Sequence, residues 1–167
     1  NRGSVPAEHR DALGDWIFGC DVCQQVCPWN QRFARPLYDP DFAPRAPLPD
    51  PQMGALLGLS QAEFSSAFRG SALKRAKRRG LLRNAIVALG NSAASAAVPY
   101  LERALRTDPD PMVRGHAAWA LGCCSVNTAE TALRTALKAE TEQEVLQQMQ
   151  VAGVMVEKKH LKLAQMV

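Results

Sequence analysis

Cys20, Cys23 and Cys27, the last followed by Pro28, form a C-x2-C-x3-C-P pattern. Two thiols separated by two residues wrap one metal centre through a tight loop, and a cysteine followed by proline typically leaves that loop for a second centre, as in two-cluster ferredoxins. The pattern reads as half of a 4Fe-4S pair with Cys20, Cys23 and Cys27 as ligands. Two such clusters take about eight thiolates. The remaining ligands are therefore expected from sequence preceding Asn1, and this chain alone is expected to hold neither cluster intact. Zinc is the rival metal, but a tetrahedral site asks for a second C-x2-C or a histidine pair, and His9, His116 and His160 lack that spacing. Thiols without metal are the third reading. The adjacent Cys123 and Cys124 end an alanine-rich stretch, where cysteine behaves as a small hydrophobe.

The second group with chemical character is basic. Arg69, Lys74, Arg75, Lys77, Arg78, Arg79 and Arg83 fall in one stretch without an acid, so the rest of the chain sums to −3 against +4 for the whole. Such concentrated charge suits a polyanion whose phosphates release counterions on binding. The rival reading is a solvated helix face whose cations pair with acids of the following segment.

The composition bounds what carries these groups. With 167 residues, 47% hydrophobic and 22% charged, the chain fits one globular domain or two small ones. No run approaches the ~20 apolar residues of a membrane span, and no charged-then-apolar signal opens the chain. An odd cysteine count without a secretory signal argues against a disulfide framework. A reducing, cytoplasmic setting, no membrane and a monomer are the expectations.

Seven of the eleven prolines (Pro28, Pro36, Pro40, Pro44, Pro47, Pro49, Pro51) crowd one stretch, where regular structure cannot persist. This divides the chain into a cysteine-bearing unit over 1–30, a connector over 31–58 and a helical unit over 59–167. In the first unit Ser4 as N-cap, Pro6 in the first turn and Glu8 near the dipole's positive end predict a helix to about Gly14. Lacking its partners, this unit is expected to lean on the helical one or to stay loosely ordered. Ser60-Gln61-Ala62-Glu63 has capping-box spacing and predicts a helix over 61–69.

From position 81 the chain repeats with an offset of 32. Ala85 falls over Ala117, Ala88-Leu89-Gly90 over Ala120-Leu121-Gly122, Leu101 over Leu133 and Ala104-Leu105 over Ala136-Leu137. A third copy begins with Val113 over Val145. There Thr141-x-x-Glu144 reads as another capping box, and Ala-Leu-Gly fades to Ala152-Gly153-Val154, as terminal solenoid repeats do. Asp110-Pro111 predicts a helix start, Gly122 lies near that helix's end, and Thr128 to Lys138 forms the second helix of the hairpin. The expected class is all-α: an α-solenoid of helical hairpins, preceded by a partial ferredoxin-like segment and a Pro-rich connector.

Four blocks together resemble a known family: Gly-Ser-Val-Pro at 3–6, Gly-Cys-Asp-Val-Cys-Gln-Gln-Val-Cys-Pro-Trp-Asn at 19–30, Lys-Arg-Ala-Lys-Arg-Arg-Gly-Leu-Leu-Arg-Asn at 74–84 and Ala-Leu-Gly-Asn at 88–91. The chain resembles the C-terminal portion of the epoxyqueuosine reductases, cobalamin-dependent iron–sulfur enzymes of queuosine biosynthesis in tRNA. Its repeats are similar to HEAT-like repeats of the phycobilin-lyase type. The resemblance implies an upstream cobalamin-binding catalytic domain, a two-cluster domain in which Cys20 and Cys23 serve one cluster and Cys27 the other, and repeats that hold the tRNA anticodon stem-loop. The resemblance places the family's catalytic residues upstream, with none in this chain, so the chain alone is expected to be inactive, and the electron donor is left open. Lys74, Arg75, Lys77, Arg78, Arg79 and Arg83 are the tRNA-binding candidates. Trp29 is expected to shield a cluster rather than stack on a base; Phe33 and Tyr38 carry the same alternative. Two other readings compete: a different cobalamin and iron–sulfur reductase, related to reductive dehalogenases, and a non-enzymatic electron-transfer adaptor whose repeats bind a protein.

Overall fold

Helices account for every regular element among the described residues of the computed structural model, which are 2–36, 39–40, 53–124 and 126–165. The all-α expectation holds. Four short helices, α1 (Ala7–Arg10), α2 (Val22–Gln25), α3 (Pro28–Phe33) and α4 (Met53–Leu57), precede α5 (Gln61–Ala67). Five longer ones follow: α6 (Lys77–Ser92), α7 (Val98–Thr107), α8 (Pro111–Cys123), α9 (Asn127–Leu137) and α10 (Gln143–Gln165). Pro44, Pro47, Pro49, Pro51 and Tyr38 lie outside the described residues.

The local signals act largely as read. Ser60 Oγ accepts from Glu63 N at 3.2 Å while the Glu63 carboxylate accepts from Ser60 N at 2.8 Å, completing the capping box of α5. Asp110 Oδ1 accepts from Met112 N at 3.0 Å, with Pro111 in the first turn of α8. Two caps differ. Pro6, not Ser4, stands at the N-cap of α1, and the Ser4 hydroxyl donates instead to Glu144 Oε1 at 2.8 Å. The box expected at Thr141 and Glu144 does not form, because α10 begins only at Gln143. Glu140 does that work: its Oε1 accepts from Thr141 N and Glu142 N, both at 3.0 Å.

The helices α6, α8 and α10 pack side by side as one layer, with α7 and α9 as the other. Between the layers lies a core of Leu82, Ile86, Leu101, Leu105, Val113, Ala117, Leu121, Ala132 and Val145, all at most 2% exposed. The Ala-Leu-Gly recurrence now has a physical cause. A Cβ on Gly90 would lie 2.5 Å from the Trp119 ring and 3.1 Å from Ala120 Cα, and one on Gly122 would lie 2.8 Å from both Cα and Cβ of Ala152. Each glycine thus lets its helix backbone lie against the alanine of the next copy. In the third copy Val154, half exposed, takes the glycine's place.

A second recurrence joins the hairpins. Asp108 and Glu140, equivalent under the 32-residue offset, each hold an arginine of the inner layer. Arg78 bonds Asp108 through both terminal nitrogens, one of them at 3.2 Å, and reaches Leu59 O through Nε at 2.6 Å. Arg114 meets Glu140 at 2.7 and 3.0 Å. The hydrogen bonds from Arg114 hold the Glu140 carboxyl well down, at about 2.

Candidate functional site

The cysteines fall on three local structures. Cys20 precedes α2, Cys23 lies on its single turn, and Cys27 is the N-cap residue of α3, followed by Pro28 in the position where proline's missing N–H costs nothing. Cys20 and Cys23 are exposed, Cys27 partly so, and all three are free thiols. Asn30 and Gln31 brace α3 on α2 through the carbonyls of Gln24 and Gln25, at 3.3 and 2.7 Å. Among the described residues no group of three or more His, Cys, Asp or Glu is gathered around one metal position. The donor set fits iron–sulfur ligation in type, three accessible cysteines on and beside two short helices, and supplies part of a ligand set rather than all of it. Beside it Trp16, Phe18, Val22, Val26, Trp29 and Phe33 are all more than 40% exposed, and Trp29 stacks on Phe33 with ring centroids 5.2 Å apart.

The basic segment divides in two. Ser71 caps a 3-10 turn over Ala72–Ala76, which gives way to α6 at Lys77. Lys77 sits at φ 59°, a backbone region that favours glycine. Lys74, Arg75, Lys77 and Arg79 are exposed, whereas Arg78 and Arg83 turn inward and are 8% and 7% exposed. Arg78 is engaged by Asp108 and the Leu59 carbonyl, and Arg83 by Gly3 O and the Asn84 side chain. Arg79 lies 3.4 Å from Asp110. Both sequence readings of this stretch therefore coexist: some cations pair with acids of the next hairpin, and the others face solvent. The N-terminal ends of α5, α6, α8 and α10 frame a groove of 640 Å³, lined among others by Ser60, Lys77, Arg79, Pro111 and Glu144.

Between cysteines and cations lies a junction whose residues sequence reasoning did not single out. Val5 N donates to His116 Nε2 at 3.1 Å, while Nδ1 of the same ring lies 2.8 Å from Met112 O. A carbonyl only accepts and an amide N–H only donates, so the proton sits on Nδ1 and the ring is neutral. Arg10 reaches Val5 O and Gln148 Oε1, both at 3.0 Å, and lies over the Trp119 ring at 4.9 Å. Asn91 donates to Arg10 O and Gly14 O, and Asn84 to Ile17 O. The cysteine-bearing unit does lean on the helical one. The signal that could have revealed it was the pair of asparagines, Asn84 and Asn91, seven positions apart and flanking the apolar Ala85–Leu89 stretch of α6.

Burial, aided by the nearby Arg10 and Arg83 charges, pushes His116 down to about 4. The unfolded ring titrates near its ordinary 6.5, so in that window the unfolded chain binds more protons. Stability is then full above pH 6.5 and is lost as pH falls toward 4. Denaturant titrations at pH 7 and pH 4.5 are expected to show this loss, and it should shrink in His116→Gln.

Residues 67–152 match the family of HEAT repeats, just over half of the chain. The chain belongs to the HEAT-repeat family. Ahead of the HEAT repeats, residues 1–30 match the 4Fe-4S double cluster binding domain. A protein of Pseudomonas aeruginosa named epoxyqueuosine reductase is 45% identical over 122 residues, 72% of this chain and 33% of the relative. One of Bacillus cereus with the same name is 35% identical over 148 residues, 89% of this chain and 39% of the relative. The chain thus spans between a third and two fifths of the length of these relatives. A crystal structure of epoxyqueuosine reductase with a tRNA-Tyr epoxyqueuosine-modified tRNA stem loop superposes with TM-score 0.81 at 30% identity, covering 94% of this chain and 42% of that one. HEAT repeats and cluster segment are therefore matched together, as one arrangement. No helix among the described residues is long and apolar enough to cross a membrane.

Proposed function

We propose that this chain is the part of an epoxyqueuosine reductase that supplies cluster ligands and docks tRNA, in a parent enzyme that reduces epoxyqueuosine to queuosine in the cytoplasm. The observation that carries this reading is the joint match of cluster segment and repeats, in one fold, to a reductase crystallised with a tRNA stem loop. Cys20, Cys23 and Cys27 would hold clusters together with thiolates from elsewhere in the parent, and such clusters carry single electrons when bound. Cobalamin belongs to another part of the parent, and this portion divides near 1–30, 31–58 and 59–167, with α3 crossing the first boundary and Leu56 and Leu57 of α4 joining the core of the repeats. Of the basic candidates, Lys74, Arg75, Lys77 and Arg79 face RNA backbone, while Arg78 and Arg83 hold the scaffold that presents them. A strained Lys77 among exposed cations agrees with such a surface.

The reaction is tested by nucleoside analysis of epoxyqueuosine-containing tRNA after anaerobic incubation with the cluster-loaded, cobalamin-bound parent and a reductant. Queuosine is the expected product; its absence with all cofactors in place defeats the proposal. The RNA surface is tested separately. Changing Lys74, Arg75 and Lys77 to Ala in the parent is expected to weaken stem-loop binding and to flatten its salt dependence, the log–log slope falling by about 0.7–0.9 for each phosphate no longer neutralised. An unchanged salt slope would refute that surface. All three side chains are exposed, so the fold survives the change.

A further inference from the structure

We propose that the face of α6, α8 and α10 carrying residues 3–17 is a receptor built for that segment, with Arg10 as the positioning residue that fixes the cysteine loops relative to the repeats. For its consequence in turnover this rests on the tRNA-modifying reading above; for the dock itself it does not.

Three successive inner helices take part. From α6, Arg83 meets Gly3 O, Asn84 meets Ile17 O and Asn91 meets both Arg10 O and Gly14 O. From α8, His116 accepts the Val5 amide and Trp119 lies under Arg10. From α10, Glu144 accepts from Ser4 and Gln148 from Arg10. Most of these bonds go to backbone groups of the segment, so they specify its path and not merely its composition.

Arg10 is the costly member. It is 2% exposed, and its guanidinium meets two neutral oxygens and an indole face; among the described residues it forms no ion pair with a carboxylate. Desolvation of that charge lowers its pKa. A buried cation that the Glu8 charge favours only at a distance is a poor way to gain stability, and well-packed apolar replacements often serve better at buried charges. What it does supply is directional: the planar fork ties Val5, before α1, to Gln148 on α10 in a single geometry. Repeat arrays use their helix faces to receive partners; here the chain's own segment occupies the face of α6, α8 and α10, which speaks against an adaptor that would bind a protein there.

The test uses the cluster-loaded parent enzyme. Arg10→Met keeps the stem over Trp119 but removes the donors. Asn91→Ala loosens the same dock from α6 without disturbing the buried guanidinium, and serves should Arg10→Met fail to fold. In the wild type, the Val5 amide that donates to His116, and the His9, Gly14 and Trp16 amides of the turns the dock holds, are expected to be protected from hydrogen exchange. In the variants they exchange at least tenfold faster, with cluster iron unchanged, KM for tRNA within twofold and kcat at least tenfold lower. Unchanged exchange in a folded variant overturns the dock. A KM that rises as kcat falls, or a kcat that holds while exchange accelerates, overturns the positioning role. If the wild-type parent leaves tRNA unmodified, the functional reading falls and exchange alone judges the dock.

Discussion

Asp108→Ala is expected to lower the unfolding free energy by about 3–5 kcal/mol, the range for removing one partner of a buried ion pair. The side chains of Arg78 and Asp108 are 10% and 3% exposed, and the Arg78 fork is held by Asp108 at both ends. Without Asp108 a desolvated guanidinium keeps only the Leu59 carbonyl. The damage extends to α8, because Asp108 Oδ1 also accepts from Asp110 N at 2.9 Å, and Asp110 is the residue that caps that helix. Urea denaturation should show a lower midpoint at unchanged slope. The double change Arg78→Met with Asp108→Leu is expected to recover much of the stability, since the penalty lies in the orphaned charge. The exposed pair Glu130–Arg134, with side chains 30% and 77% accessible, is the control: Glu130→Ala should cost no more than about 0.5 kcal/mol.

The second large effect concerns the glycine that lets two helix backbones touch. Gly122→Ala places a methyl 2.8 Å from Ala152 Cα and 3.0 Å from its carbonyl oxygen. Backbone cannot rotate away as a flexible side chain does, so α8 and α10 must separate. Overpacking of this kind costs about 1–3 kcal/mol. That outweighs the roughly 1 kcal/mol by which alanine exceeds glycine in helix propensity. For a chain of this size each kcal/mol moves Tm by about 2–4 °C. Gly153→Ala has nothing within 4 Å of the added methyl and lies mid-helix in α10, so propensity alone acts and stability should rise by up to about 1 kcal/mol. Thermal melts of the two variants should therefore move in opposite directions. A fall in both would mean that Gly153 also marks a close approach.

What the sequence made legible was the local and the periodic. The capping box at Ser60 and Glu63 and the Asp110–Pro111 helix start depend on residues a few positions apart, and both form as read. The 32-residue offset identified the hairpins because stacked copies repeat the same packing. The caps that failed did so through competition from other partners. Ser4 is drawn to Glu144, 140 positions away, and Glu140 takes the Thr141 amide that Glu144 was expected to serve. The basic run concealed a division that charge counting cannot detect: Arg78 and Arg83 are drawn inward by Asp108 and by the Leu59 and Gly3 carbonyls, partners distant in sequence, whereas Lys77 and Arg79 stay exposed. Arg10 and His116 looked like ordinary polar residues because their partners, Val5, Trp119 and Gln148, come from three separate parts of the chain.

Repeat arrays of this kind behave mechanically as springs, since each unit touches only its neighbours and small rotations add along the stack. Residues 3–17 break that rule by bonding α6, α8 and α10 at once. They act as a cross-brace, and bending the stack now requires stretching hydrogen bonds that skip a repeat. The one-dimensional additivity of repeat stabilities should fail here too: unravelling from either end must release the brace, so α6 and α10 are expected to melt together.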